Sequence, residues 1–124
     1  MGMWTRSELE RIAASNDLYI APFREDHKTY GTPTWIWSVV VDGHLYVRAY
    51  NGEASRWYQA AIGQGAGRIT VAETTRDVSF AGARGTINDQ VDEAYRLKYG
   101  KSPYLAPMID ERVQVTTINI LPAD

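Results

Sequence analysis

The side chains best suited to chemistry are concentrated in two adjoining stretches, WIWSVVVDGHLYVRAY (35–50) and NGEASRWYQAAIGQ (51–64). The first reads as a β-hairpin. Asp42-Gly43 places two residues that tolerate positive φ between apolar runs, as a two-residue type I′ turn requires. Counting outward pairs Val41 with His44, Val39 with Tyr46, Trp37 with Arg48 and Trp35 with Tyr50, all on one face by the alternation of a strand. The opposite face carries Ile36, Ser38, Val40, Leu45, Val47 and Ala49, small and apolar enough to fill a narrow barrel. In the second stretch Asn51 or Ser55 caps a helix that opens with Arg56 and Trp57. Free N–H groups and the dipole at a helix start attract anions. Arg48, Arg56 and that helix start could therefore hold a phosphate, while Trp35, Trp37, Tyr50 or Trp57 offers a wall to a planar ligand. The same face can instead be core, with Trp37 and Arg48 as a cross-strand cation–π pair and the other aromatics packed on a helix or a dimer partner.

Other chemistries find less support. The glycine-rich GQGAGR (63–68) follows a helix and precedes a strand, the reverse of the order that aims N–H groups at a phosphate, so it reads as a helix stop. His27 and His44 are the only histidines, and neither has a second ligand at metal spacing, so no metal site is expected. Ser38 and Ser55 lack the Gly-x-Ser-x-Gly elbow of a serine hydrolase. The carboxylates are spread along the helices as solvated charges, with no pair set for acid–base work.

The whole chain sets the frame for these residues. Its 124 residues give one domain with one core. A hydrophobic share of 44% against 23% charged is too apolar for disorder. Net charge is −2 with the signs intermixed, so the basic stripe of a nucleic-acid binder is missing, as is a polybasic membrane patch. Cysteine is absent, which excludes disulfides and thiolate chemistry and fits a reducing cytoplasm. No segment approaches the ~20 apolar residues of a membrane span, and no early run suggests export.

The elements that must position the two stretches follow from periodicity and punctuation. In TRSELERIAASND, Thr5 or Ser7 stands three residues ahead of Glu8 or Glu10, the spacing of a capping box. A short helix results, with Leu9, Ile12 and Ala13 on one side. LYIAPFR (18–24) is a strand and EDHKTYGTP (25–33) a polar loop. RITVAE and RDVSF form a second hairpin turning at Thr74-Thr75. A helix begins near Thr86, buries Ile87, Val91, Ala94 and Tyr95, and stops at Gly100 as its C′ residue. SPYLAPMIDE is a Pro-punctuated loop, and RVQVTTINIL (112–121) a last, β-branched strand. The sum is an α+β domain of about six mostly antiparallel strands and about three helices, a barrel or partial barrel with helices at its ends or flanks.

The run TYGTPTWIWSVVVDGHLYVRAYNGEASRWYQAAIGQGAGRI, with SPYLAPMI near the C-terminus, resembles a family of short bacterial proteins known as domain-of-unknown-function family 2255. More distantly, the order Gly-x-Pro, apolar strand, turn, LYVRA-like strand, small residues and a Trp-Tyr helix start is similar to split β-barrel proteins that bind flavin mononucleotide (FMN) or a deazaflavin, including nitroreductase-like enzymes. Carried over by position, that resemblance marks Thr32, Pro33 and Thr34 with Trp35 and Trp37, then Ala49, Tyr50 and Asn51, and finally Trp57 and Tyr58.

With the cytoplasmic location expected from composition, the resemblance implies a homodimeric split barrel over residues 1–124 that binds a flavin-type cofactor and acts as an oxidoreductase on a small molecule. The cofactor performs the redox step in such enzymes and the protein orients it. Thr34, Trp35, Trp37, Arg48, Tyr50, Asn51, Arg56 and Trp57 would then hold the cofactor, with Arg48 and Arg56 on its phosphate. Tyr50 or Tyr30 would donate a proton or hydrogen bond to the substrate. The alternative reading is a cofactor-free dimeric module that binds a small molecule or another protein through the same face.

Overall fold

A computed structural model of the chain describes residues 3–123. The first helix, α1 (Arg6–Ala14), begins at Thr5, whose hydroxyl accepts from the Glu8 N–H while the Glu8 carboxylate accepts from the Thr5 N–H. Of the possible pairings, Thr5 with Glu8 makes the capping box. Strands β1 (Leu18–Pro22), β2 (Thr34–Ile36), β3 (Ser38–Val41) and β4 (His44–Val47) follow. A single 3-10 turn at Gly52–Ala54 leads into α2 (Arg56–Gln64), which ends in a left-handed Gly65 before β5 (Ala66–Val71). GQGAGR is thus a helix stop and strand start. The rest comprises β6 (Thr74–Gly82), α3 (Ile87–Tyr99), two one-turn helices, α4 (Leu105–Met108) and α5 (Glu111–Gln114), and β7 (Ile118–Pro122).

Seven antiparallel strands form one sheet in the order β2-β1-β5-β6-β7-β4-β3. Its two end strands are consecutive in the chain. They are separated by Trp37 alone, so the sheet curls into a nearly closed barrel whose seam is that residue. The Asp42-Gly43 hairpin keeps the expected register through Val41–His44 and Val39–Tyr46 and on to Ser38–Val47. The expected pairs beyond it do not form: Trp35 faces Tyr19 on β1, and the pairing of β3 with β4 stops short of Trp37 and Arg48. Side chains of α3 explain the break. The Trp37 carbonyl accepts from the Tyr95 hydroxyl, and the Ser38 carbonyl accepts from Lys98 Nζ at 2.8 Å and from the Tyr99 hydroxyl at 3.3 Å. Backbone groups that a strand partner would satisfy are satisfied there by a helix.

Other expectations shift for similar local reasons. The second hairpin turns at Ala72-Glu73, both at positive φ, with Val71 opposite Thr74, two residues ahead of the expected Thr74-Thr75. Gly100 is right-handed helical, so α3 ends without a left-handed glycine. Residues 112–117 are not strand. Asp110 caps α5 by accepting from the Arg112 N–H, and only Ile118–Pro122 joins the sheet. Together with the split at Trp37, this gives seven strands and five α-helices among the described residues where about six and three were expected.

The barrel interior takes alternate side chains from its strands, among them Leu18, Ile20, Ile36, Leu45, Val47, Ile69, Val78, Ile118 and Ile120. Trp4, Leu9 and Ile12 at the N-terminal helix and Ala61 of α2 join that core, and Trp4 Nε1 donates to the Ile120 carbonyl at 2.8 Å. A second core lies outside the barrel, where α3 covers Val39 and Tyr46 with Val91, Tyr95 and Tyr99. The two faces of the hairpin therefore serve two cores. No helix among the described residues is long and apolar enough to cross a membrane.

Candidate functional site

The barrel seam opens into a cleft of about 630 Å3, within the size range of small-molecule sites. Strand β2 gives one wall, Thr34, Trp35 and Ile36, and Trp37 stands at the seam. Arg48, Tyr50, Asn51 and Ser55 line it from the segment after β4, Arg56 and Trp57 from the start of α2, and Tyr104 and Met108 from α4 and the turn before it. The eight residues proposed from sequence for a ligand, Thr34, Trp35, Trp37, Arg48, Tyr50, Asn51, Arg56 and Trp57, are all in this lining.

The aromatic walls are set by specific contacts. Trp35 is half exposed, with Nε1 donating to the Asn16 carbonyl at 3.2 Å and to Asp17 Oδ1 at 3.1 Å. Trp37 stacks on Tyr99 with ring centroids 4.0 Å apart and planes 3° from parallel. Tyr50 meets Tyr104 edge to face at 6.2 Å. The last two rings are 42% and 60% exposed, so they form the mouth of the cleft and not its floor.

Arg48 has a different role from the one its position suggested. Its side chain is fully buried, with Nε donating to Thr117 Oγ1 at 2.9 Å. One terminal nitrogen donates to Asp92 Oδ1 and to the Met108 carbonyl, the other to the carbonyl and side-chain oxygens of Asn88. A guanidinium has five N–H donors, and all five are taken. Asp92 neutralises the charge and is held in turn by Gln114 Nε2 at 2.7 Å. The guanidinium also lies 5.5 Å from the Tyr95 ring centroid, which makes Tyr95, not Trp37, its cation–π partner. Burial, partly offset by Arg48, pushes the Tyr95 phenol far above its ordinary range, so it stays neutral. Arg48 thus ties the end of β4 to α3, α4 and the start of β7, and no donor remains for a phosphate.

Anion capacity in the cleft falls on Arg56, which is exposed and makes no ion pair among the described residues. Ser55 stands beside it at the N-cap of α2, with no side-chain capping bond. Tyr30 lies elsewhere. It stacks on Phe23, donates to Asp77 Oδ1 at 2.8 Å and carries the Arg68 guanidinium 3.6 Å above its ring, outside the cleft lining. Of the two tyrosines proposed as proton donors, only Tyr50 lines the cleft. His27 pairs through Nδ1 with Gln64 Oε1 at 2.6 Å, and no cluster of three potential metal ligands occurs among the described residues.

Sequence reasoning missed Tyr104, Met108 and the partners of Arg48. Asn88, Asp92, Tyr95 and Tyr99 fall on one stripe of α3, so a carboxylate on a helix face that also buries Tyr95 was a readable signal. Tyr104 sits in a Pro-punctuated segment with no periodicity to orient it.

Fold and site together define a small, nearly closed antiparallel barrel with an aromatic-walled cleft at its seam. The family profile described as "Uncharacterized protein conserved in bacteria (DUF2255)" matches residues 8–120, and the chain belongs to that family. No curated protein matches it.

Proposed function

We propose that the cleft binds a flavin-type cofactor, FMN or a deazaflavin, and that the protein acts as an oxidoreductase on a small molecule. The observation that carries this reading is the convergence of Trp35, Trp37 and Trp57, from β2, the seam and α2, around one cleft large enough for a fused ring system. Arg56 and the Ser55 hydroxyl would take the phosphate, and the Tyr50 hydroxyl at the mouth would donate a hydrogen bond or proton to the substrate. A bound cofactor of this class supplies the hydride or electron pair. The protein's share is to orient the ring, exclude water and place these donors. In this reading a second copy of the chain covers the mouth, where Trp35, Tyr50 and Tyr104 are partly exposed.

One observation favours a second reading, a cofactor-free site for a small aromatic molecule: Arg48, the most deeply placed cation of the lining, is fully engaged by protein groups. Titration with FMN, riboflavin and a deazaflavin, followed by tryptophan quenching, separates the two. FMN binding more tightly than riboflavin, with the difference erased by Arg56→Ala, supports the flavin reading and its phosphate assignment. Equal binding of FMN and riboflavin removes Arg56 from that role. No binding of any of the three sinks the flavin reading and leaves the cofactor-free one.

A further inference from the structure

The three tryptophans of the cleft are held in different ways. Trp57 packs on the barrel core and meets Tyr58 edge to face at 6.3 Å. Trp37 packs on the second core and lies flat on Tyr99. Trp35 belongs to neither core and, among the described residues, makes no stacked or edge-to-face contact with another aromatic ring. What orients its indole is the N–H, shared between the Asn16 carbonyl and Asp17 Oδ1.

A buried indole N–H needs a protein partner, but Trp35 is half exposed and water would serve its donor as well. Satisfying the donor therefore does not account for the contact; fixing the ring does. An unheld tryptophan on a strand surface samples several χ1 and χ2 settings, and a ligand that stacks on it must first arrest it at a cost in entropy. Two acceptors on one N–H set both torsions before a ligand arrives. The acceptors are themselves anchored. Ser15, the C-cap of α1, donates its N–H to the Ile12 carbonyl at 3.0 Å, and its hydroxyl accepts from the Asp17 N–H at 3.2 Å. Ile12 before this turn and Leu18 after it are both buried in the barrel core. The chain of contacts thus runs from the core through Ser15 to Asp17 and on to a wall of the cleft.

We infer that Asp17, which lies outside the cleft lining, is a positioning residue for the ligand: its carboxylate holds the Trp35 indole so that a ring face stands ready to stack on a planar molecule. This rests on the reading of the cleft as a site for such a molecule, whether a flavin or a smaller aromatic compound. Asp17 is exposed and has no part in either core, so its variants should fold.

Riboflavin and naphthol, neutral probes that carry no phosphate for Arg56, test the inference when each is followed by its own fluorescence. Asp17→Ala should weaken binding about fivefold, and Asp17→Asn, which keeps an acceptor oxygen, should stay within about twofold of the parent. In a Trp35→Phe background, where the N–H is gone, Asp17→Ala should have no further effect. Without any ligand, NMR should show the Trp35 indole N–H exchanging faster with water in Asp17→Ala than in the parent or in Asp17→Asn. Naphthol binding that follows this order, with no riboflavin binding, removes the flavin reading and supports the role of Asp17. Riboflavin binding that is unchanged by Asp17→Ala overturns that role and leaves the flavin reading standing. Equal weakening by Asp17→Ala with and without the Trp35 N–H also overturns it, because Asp17 would then act through the fold. Failure of both probes to bind the parent protein overturns the inference together with the reading beneath it.

Discussion

Asp92→Asn should lower the unfolding free energy by about 3–5 kcal/mol, because it leaves the buried Arg48 cation without its counter-charge. Replacing both partners, Arg48→Met with Asp92→Leu, should cost clearly less than the sum of the single changes, and urea unfolding of the four proteins measures that difference. The pair shows where residue-level reading of the sequence stops. Arg48 was recognisable as a special residue, a lone cation among aromatics on a hairpin. Its five acceptors come from positions 88 to 117, distant in the chain, and nothing local announces them. Trp35, Trp37, Arg56 and Trp57 were legible as one aromatic and basic group from their nearness in the chain, although the register of the Asp42-Gly43 turn ends at Ser38 and Trp35 is placed by Tyr19 of β1. Tyr30 was misplaced because the loop that carries it folds over β5 and β6, where Arg68 and Asp77 hold its ring and hydroxyl.

At the scale of elements, turns and caps were easiest to read where side-chain chemistry decides them. Asp42-Gly43 and the Thr5–Glu8 box follow from rules that need no tertiary context. Thr5→Ala should reduce stability by about 1 kcal/mol in chemical unfolding. The Ala72-Glu73 turn was not readable, because neither residue favours the left-handed region that each occupies, at φ of 50° and 63°. The pairing of β5 with β6 over six positions imposes the turn on them. Ala72→Asn with Glu73→Gly should therefore stabilise the protein by about 1 kcal/mol, a rise in the urea midpoint at unchanged slope. The split of the predicted hairpin strand at Trp37 has a similar origin. Local pattern favours one long strand, and the polar side chains of α3 override it by capturing the backbone of residues 37 and 38.

For the whole molecule, Lys98 ties stability to pH. Its folded pKa of about 8 lies below the ordinary lysine value of about 10.4. Between those values the unfolded chain keeps a proton that the folded chain has released, so this lysine makes stability rise as pH climbs from about 8 towards 10. Below pH 8 both states hold the proton and its full destabilising effect is present. Thermal unfolding across that window should show the rise, and Lys98→Met should remove it relative to the parent protein. The α+β barrel itself was legible in outline from hairpins and alternating strands; its closure was not, because it depends on two consecutive strands reaching opposite ends of the sheet.

That closure gives the cleft a property of its own. Strand β2 is held to the sheet along one edge, through three residue pairs to β1, whereas β5 and β6 are paired on both sides. Its amides should exchange with solvent through small local openings long before the global unfolding that releases the inner strands. The residues of that strand are also a wall of the cleft. Parting the wall and unlatching the barrel are therefore one event, and a molecule seated against Trp35 acts as a bolt on the loosest joint, slowing exchange at residues 34–36 more than anywhere else in the sheet.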